Sequence, residues 1–216
     1  MIFKSLAPAI LSAAVLFWAI PASTLADEQA EPVQLVQQTT AELFELVNSR
    51  RDFYQENIDQ LQADIRAILL PMVDEVYSAR LVLGRSGRGL EREKVLEFSD
   101  ALSDLLMRRY AQGLLDFETR DQVEVRPLSG ENSDRMTRVK TRVALDNGQQ
   151  APVDYVFRKT DEGWKIFDVI VEGISYVTTF RNQIGEQLRQ QGFDATLESL
   201  QRGNLELEEV ELDGAN

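Results

Sequence analysis

The hydrophobic repeat of this chain changes near Phe117 from about 3.6 residues to 2 and returns to the helical period after Val171. No single-layer fold accommodates both periods, so helices and strands must be segregated along the sequence. Before the change, Pro32 marks a helix start, and Val33, Val36, Thr40, Leu43, Phe44 and Val47 share one face. A second helix is expected over Asp52 to Leu70, ended or kinked by Pro71. A third runs to Leu83 with Gly84 just past its end, and Gly84 to Gly89 is a loop. Glu91 to Phe117 reads as one long helix.

After Phe117, Val123 and Val125 alternate, as do Val139, Thr141, Val143 and Leu145, and then Val153, Tyr155 and Phe157. Asn147-Gly148 and Asp161-Glu162-Gly163 are turn sequences, and Trp164 to Val171 closes a meander. Two helices finish the domain. Ile174, Val177, Phe180, Ile184 and Leu188 line the first, which Gly192 caps; Asp194 N-caps the second, which ends at Gly203. The expectation is one α+β domain, with a four-stranded, largely antiparallel sheet packed against several amphipathic helices.

Residues 1–26 have the form of a cleavable signal peptide. Lys4 precedes an apolar run from Leu6 to Ile20, Pro21 breaks it, and Thr24-Leu25-Ala26 offers a cleavage site before Asp27. The run is shorter than the roughly 20 residues that span a bilayer, so no stable membrane insertion is expected. The folded domain is then 27–203, and 204–216 is an acidic, solvated tail carrying Glu206, Glu208, Glu209, Glu211 and Asp213. Those acids lack the spacing of a calcium loop, so no metal is assigned.

Composition narrows function. The net charge of −13 disfavours nucleic acid as a partner. With no Cys there is no disulfide, and with no His the usual general base and zinc ligands are missing. Gly84, Gly87 and Gly89 are not followed by Lys-Ser/Thr and do not make a phosphate loop. The chain is therefore not expected to be an enzyme.

The stretch Trp164-Lys165-Ile166-Phe167-Asp168-Val169-Ile170-Val171-Glu172-Gly173-Ile174-Ser175, continuing to Phe180-Arg181, closely resembles the signature of the MlaC family. Leu70-Pro71, Val73-Asp74, Leu83-Gly84, Phe98, Leu105, Leu106 and Tyr110 match its upstream landmarks, and the resemblance covers about Pro32 to Gly203. Ser86 and Gly87 depart from it, since the family usually has an aromatic there. These are toluene-tolerance proteins, periplasmic phospholipid-binding components of an ABC-type lipid transport system. The resemblance implies helices and sheet enclosing acyl chains. It also implies shuttling between an inner-membrane MCE-domain/ABC transporter complex and an outer-membrane lipoprotein–porin complex, which maintains outer-membrane lipid asymmetry. Phospholipid would be cargo rather than a cofactor, and a monomer suits such a shuttle.

On that basis the candidate pocket lining is Val73 and Tyr77; Leu105, Leu106 and Tyr110; Val139 and Val143; Tyr155 and Phe157; Ile166 and Ile170; and Val177 and Phe180. For any one of them taken alone, core packing is the favoured explanation, and the lining reading rests on the set. A cavity shielding two tails would lie at or beyond the upper end of the ~300–1,000 Å³ range of ligand pockets. Asp168 and Arg181 are read as a structural ion pair, with headgroup contact as the alternative. Arg80, Arg85, Arg88 and Arg92 form either an ordinary solvated surface or a headgroup or partner contact. Two other functions compete: a carboxylate-dependent enzyme using Asp168 or Glu172 in an NTF2-like cavity, and a ligand-free envelope assembly protein.

Overall fold

The computed structural model describes residues 23–116, 123–126, 128, 132–144 and 148–205. The expected apolar leader core, Phe117, Leu145, Asn147 and the tail from 206 lie outside the described residues. The elements are α1 (Ser23–Ser49), α2 (Arg51–Glu56), α3 (Ile58–Leu69), α4 (Glu75–Leu83), α5 (Arg92–Tyr110), β1 (Val123–Val125), β2 (Met136–Ala144), β3 (Gln150–Thr160), β4 (Gly163–Val171), β5 (Ile174–Ser175), α6 (Tyr176–Gln191) and α7 (Phe193–Gln201). Short 3-10 turns occupy Leu70–Met72 and Gln112–Asp116.

The α+β architecture is as the period change predicts, with five strands instead of four, in the order β1-β2-β3-β4-β5 and all antiparallel. Thr137, Val139, Thr141 and Val143 of β2 are buried on one face, and their register partners Phe157, Tyr155, Val153 and Ala151 share it. Arg138, Lys140, Arg142, Asp154 and Arg158 occupy the other face. The alternation therefore sets the register, because a one-residue slip would bury that charged set.

The extra strand comes from Glu172 and Gly173, both at positive φ (51° and 85°), which fold β4 back on itself in a type I′-like turn. Ile174, expected on a helix, is instead 50% exposed in β5. Ser175 then caps α6 by accepting from the Thr178 N–H at 3.0 Å.

Other boundaries also move. Pro32 lies inside α1, where it removes one backbone hydrogen bond without ending the helix. The helix expected over Asp52–Leu70 breaks at Asn57, whose side-chain amide donates to the Phe53 carbonyl at 2.8 Å and competes with the helical ladder. The long helix stops at Tyr110, and the Gly113-containing segment tightens into a 3-10 turn. Gly192, rather than Asp194, occupies the N-cap of α7; Asp194 lies in the first turn and pairs with Lys94 at 2.6 Å.

Three apolar clusters form the core. Phe98, Ile184, Leu200 and Val82 centre the helical one; Val139, Phe157, Trp164 and Ile166 centre the one on the sheet; Val47, Leu61 and Ile65 centre the one between α1 and α3. No helix among the described residues is long and apolar enough to cross a membrane.

The corner at Asn57 is held by a polar bond. The buried Tyr54 hydroxyl donates to Asp64 at 2.6 Å, and Gln60 donates to the same carboxylate at 2.7 Å. The bond from Tyr54, then that from Gln60, holds the Asp64 carboxyl below its ordinary value. Tyr54→Phe should therefore cost about 1 kcal/mol at neutral pH in urea unfolding, a modest figure because Asp64 is partly solvated. Asp64's folded pKa is depressed, so this contribution is full above the ordinary carboxylate value of about 4 and fades as pH falls through the lowered one. A gap between wild type and variant that stays constant down through that range would contradict the assignment.

Candidate functional site

Two apolar cavities lie against the sheet. The first, of about 210 Å³, is between α1 and strands β1 to β3. Thr40, Leu43, Phe44 and Val47 enter it at the three- and four-residue steps that place them on one helix face. Val123, Val143, Val153 and Tyr155 enter from the sheet at odd positions on three strands, and Leu114 closes one side. The second, of about 180 Å³, is between β4 and helices α4, α5 and α6. Val73, Val82, Leu102, Leu106, Ile166, Val177 and Phe180 make its apolar wall, and Glu75, Ser78, Ser99 and Ser103 give it a polar side. Tyr155 of the first cavity and Val169 of the second are register partners on β3 and β4. One rung of the sheet therefore contributes a residue to each cavity.

Of the expected lining, Val143 and Tyr155 face the first cavity, and Val73, Leu106, Ile166, Val177 and Phe180 face the second. The other six line neither of these cavities. Leu105, Val139, Phe157 and Ile170 are buried in packing. Tyr77 stands edge-on to Phe167 at 5.3 Å, with the Arg158 guanidinium 4.2 Å from its ring centre. Tyr110 packs beside Tyr176 at 6.1 Å. Because Val139 and Phe157 fill space with Met72, Trp164 and Val36, neither cavity reaches the size expected for two full tails. The α1 residues Thr40, Leu43 and Phe44 were legible as a helix face, but nothing in their spacing says what that face meets.

Asp168 and Arg181 do not form the expected ion pair. Asp168 accepts from Ser175 Oγ at 2.6 Å and from the Val177 N–H at 3.0 Å, so it holds the start of α6 against β4. Arg181 lies four residues further along α6, roughly 6 Å up the axis, and is exposed. Its Cδ lies 3.2 Å from where a Cβ on Gly84 would sit. Gly84 also has φ +52°, so the Leu83-Gly84 landmark is a glycine by both conformation and space. Arg80, Arg85, Arg88 and Arg92 are all exposed and line neither cavity.

Tyr155 is half-buried and lines the first cavity. Burial pushes its phenol above the ordinary tyrosine value, so it is a neutral donor at pH 7.

Residues 37–202 match the family model described as MlaC protein. The chain is 28% identical over 181 residues to the toluene tolerance protein ttg2D of Pseudomonas putida, covering 83% of this chain and 82% of that one. It is 26% identical over 181 residues to the intermembrane phospholipid transport system binding protein MlaC of Haemophilus influenzae, covering 81% and 82%. Its fold matches that of a phospholipid-binding protein from Ralstonia solanacearum solved in complex with a phospholipid. The TM-score is 0.70 at 21% identity, covering 79% of this chain and 95% of that one.

The two bonds at Asp168 give a direct test of the cap against the pair. Asp168→Ala should cost about 1–2 kcal/mol in chemical unfolding, because it removes the acceptor for the α6 N-terminus. Arg181→Ala should change stability by less than about 0.5 kcal/mol, and the double variant should be additive. A coupling energy above about 1 kcal/mol between the two positions would restore the ion pair.

Proposed function

Because this chain belongs to the MlaC family, we propose that it binds a phospholipid by its acyl chains and carries it through the periplasm between inner- and outer-membrane complexes. The observation that carries this reading is the pair of apolar cavities on the sheet, to which the Tyr155–Val169 rung contributes one residue each. A buried methylene contributes about 0.8 kcal/mol, so tail burial supplies affinity on the scale needed to hold a lipid away from a bilayer. The name of the Haemophilus relative and the lipid held by the Ralstonia protein support the same cargo.

In this reading residues 1–26 direct export and are removed, and the mature chain works as a monomer. Its partners are an inner-membrane MCE-domain/ABC complex and an outer-membrane lipoprotein–porin complex, as the family resemblance implies. The transport cycle maintains outer-membrane lipid asymmetry. The carboxylate-enzyme alternative loses support from the geometry. Both oxygens of Asp168 are engaged in hydrogen bonds, and Glu172 sits exposed in the β4–β5 turn.

Val143→Trp puts an indole into a cavity of about 210 Å³, and adding bulk there should exclude a chain. Native mass spectrometry of the variant purified from a Gram-negative envelope should find less co-purified diacyl lipid, with circular dichroism little changed. Phospholipids of the same chains and different headgroups should bind within about tenfold of one another. Undiminished lipid in a folded Val143→Trp, together with strict selection of one headgroup, would overturn binding by the tails.

A further inference from the structure

Among the described residues, only two polar side chains, Thr40 and Tyr155, interrupt the apolar wall of the cavity between α1 and the sheet. Tyr155 is held in mid-strand on β3, with Val139 opposite on one side and Val169 on the other. Both neighbours are apolar, and no described residue accepts a hydrogen bond from its hydroxyl. Burial alone pushes its phenol above the ordinary tyrosine value, with no polar partner contributing. The contrast is with Tyr54, another shifted phenol, whose buried hydroxyl is met by Asp64 at 2.6 Å.

Tyr155 is half-buried, and a hydroxyl on an apolar cavity wall with no described partner finds one only in what enters the cavity; Phe would fill the same place on β3 without that need. Among the described residues, a water molecule in this cavity would find two side-chain hydroxyls, the minimum for an ordered site. A methylene chain offers no acceptor at all. An ester carbonyl does, and it is the acceptor that every diacyl phospholipid carries beside its tails.

We propose that the Tyr155 hydroxyl donates a hydrogen bond to an acyl ester carbonyl of the bound lipid, so that the cavity seats the ester end of a chain beside β3. This rests on the phospholipid reading above and adds a chemical preference to it. The protein then discriminates ester-linked from ether-linked lipid while remaining tolerant of the headgroup.

The test is a competition between diacyl phosphatidylglycerol and its dialkyl ether analogue of equal chain length, read by native mass spectrometry. Wild type should favour the ester by about threefold to tenfold, the range one neutral hydrogen bond supplies. Tyr155→Phe, nearly isosteric, should bind both lipids alike, and Thr40→Val should keep the preference. Equal binding of the two lipids by wild type would remove the role of Tyr155 and leave the carrier reading standing. A preference that survives Tyr155→Phe, or is lost in Thr40→Val instead, would also overturn it. Failure of wild type to bind either lipid would remove the carrier reading and this inference together.

Discussion

Asp74 joins the helical half of the chain to the sheet. Its N–H donates to the Ile166 carbonyl at 2.7 Å, and Val73 beside it makes a single parallel bridge with the same strand residue. One carboxylate oxygen caps α4 through the Tyr77 N–H at 3.1 Å, and the other meets Arg158 of β3. One turn later, Ser78 donates to the Phe167 carbonyl at 2.8 Å. These bonds satisfy backbone groups at a helix start and beside β4 that would otherwise be left without partners. They also set α4 beside β4 and leave between them a gap that side chains only partly fill. The second cavity is that gap.

The first cavity has a different origin. α1 crosses the face of β1 to β3, and its apolar stripe meets the sheet through Leu43, Phe44 and Val47 without closing on it. The two helical lids are thus independent of each other, and the Tyr155–Val169 rung lies where they adjoin. A β-bulge at Val156/Phe157 shifts the register of β4 so that Ile166 opposes Phe157 and Asp168 opposes Val156. A bulge of this kind re-aims side chains. Here Phe167 reaches Tyr77 and Asp168 reaches the first turn of α6. The same irregularity that opens the β4 wall therefore also anchors the helix that covers it.

Much of this was readable before any coordinates. The period change near Phe117 separates helices from strands, and strict alternation in Val139–Val143 and Val153–Phe157 identifies the buried face of the sheet. The Trp164–Arg181 stretch pointed to the family that residues 37–202 match. Less was legible wherever one residue chose between two local partners. Asn57 ends a helix because its amide reaches the Phe53 carbonyl, and Glu172-Gly173 make a hairpin where a helix start was expected. Asp168 and Arg181 looked like partners because each is a charge among apolar neighbours. In space the carboxylate found an N–H and a hydroxyl first, and the guanidinium stem lay across Gly84.

The sequence by itself determined which residues leave water, since helical and strand periods select one face of each element whatever packs on it. It also determined the strand pairing order, because short turns between alternating segments leave a meander as the simplest path. Only the tertiary structure decided which buried faces close on each other and which stay apart. Val139 and Phe157 are sealed in packing, while Val143 and Tyr155, on the same sheet face, line a cavity. All four are apolar or aromatic residues on a common inner face. What separates them is the position and tilt of α1 and α4 against the strands. For α4 that placement depends on the Asp74 junction and the β4 bulge, long-range contacts that no local repeat encodes.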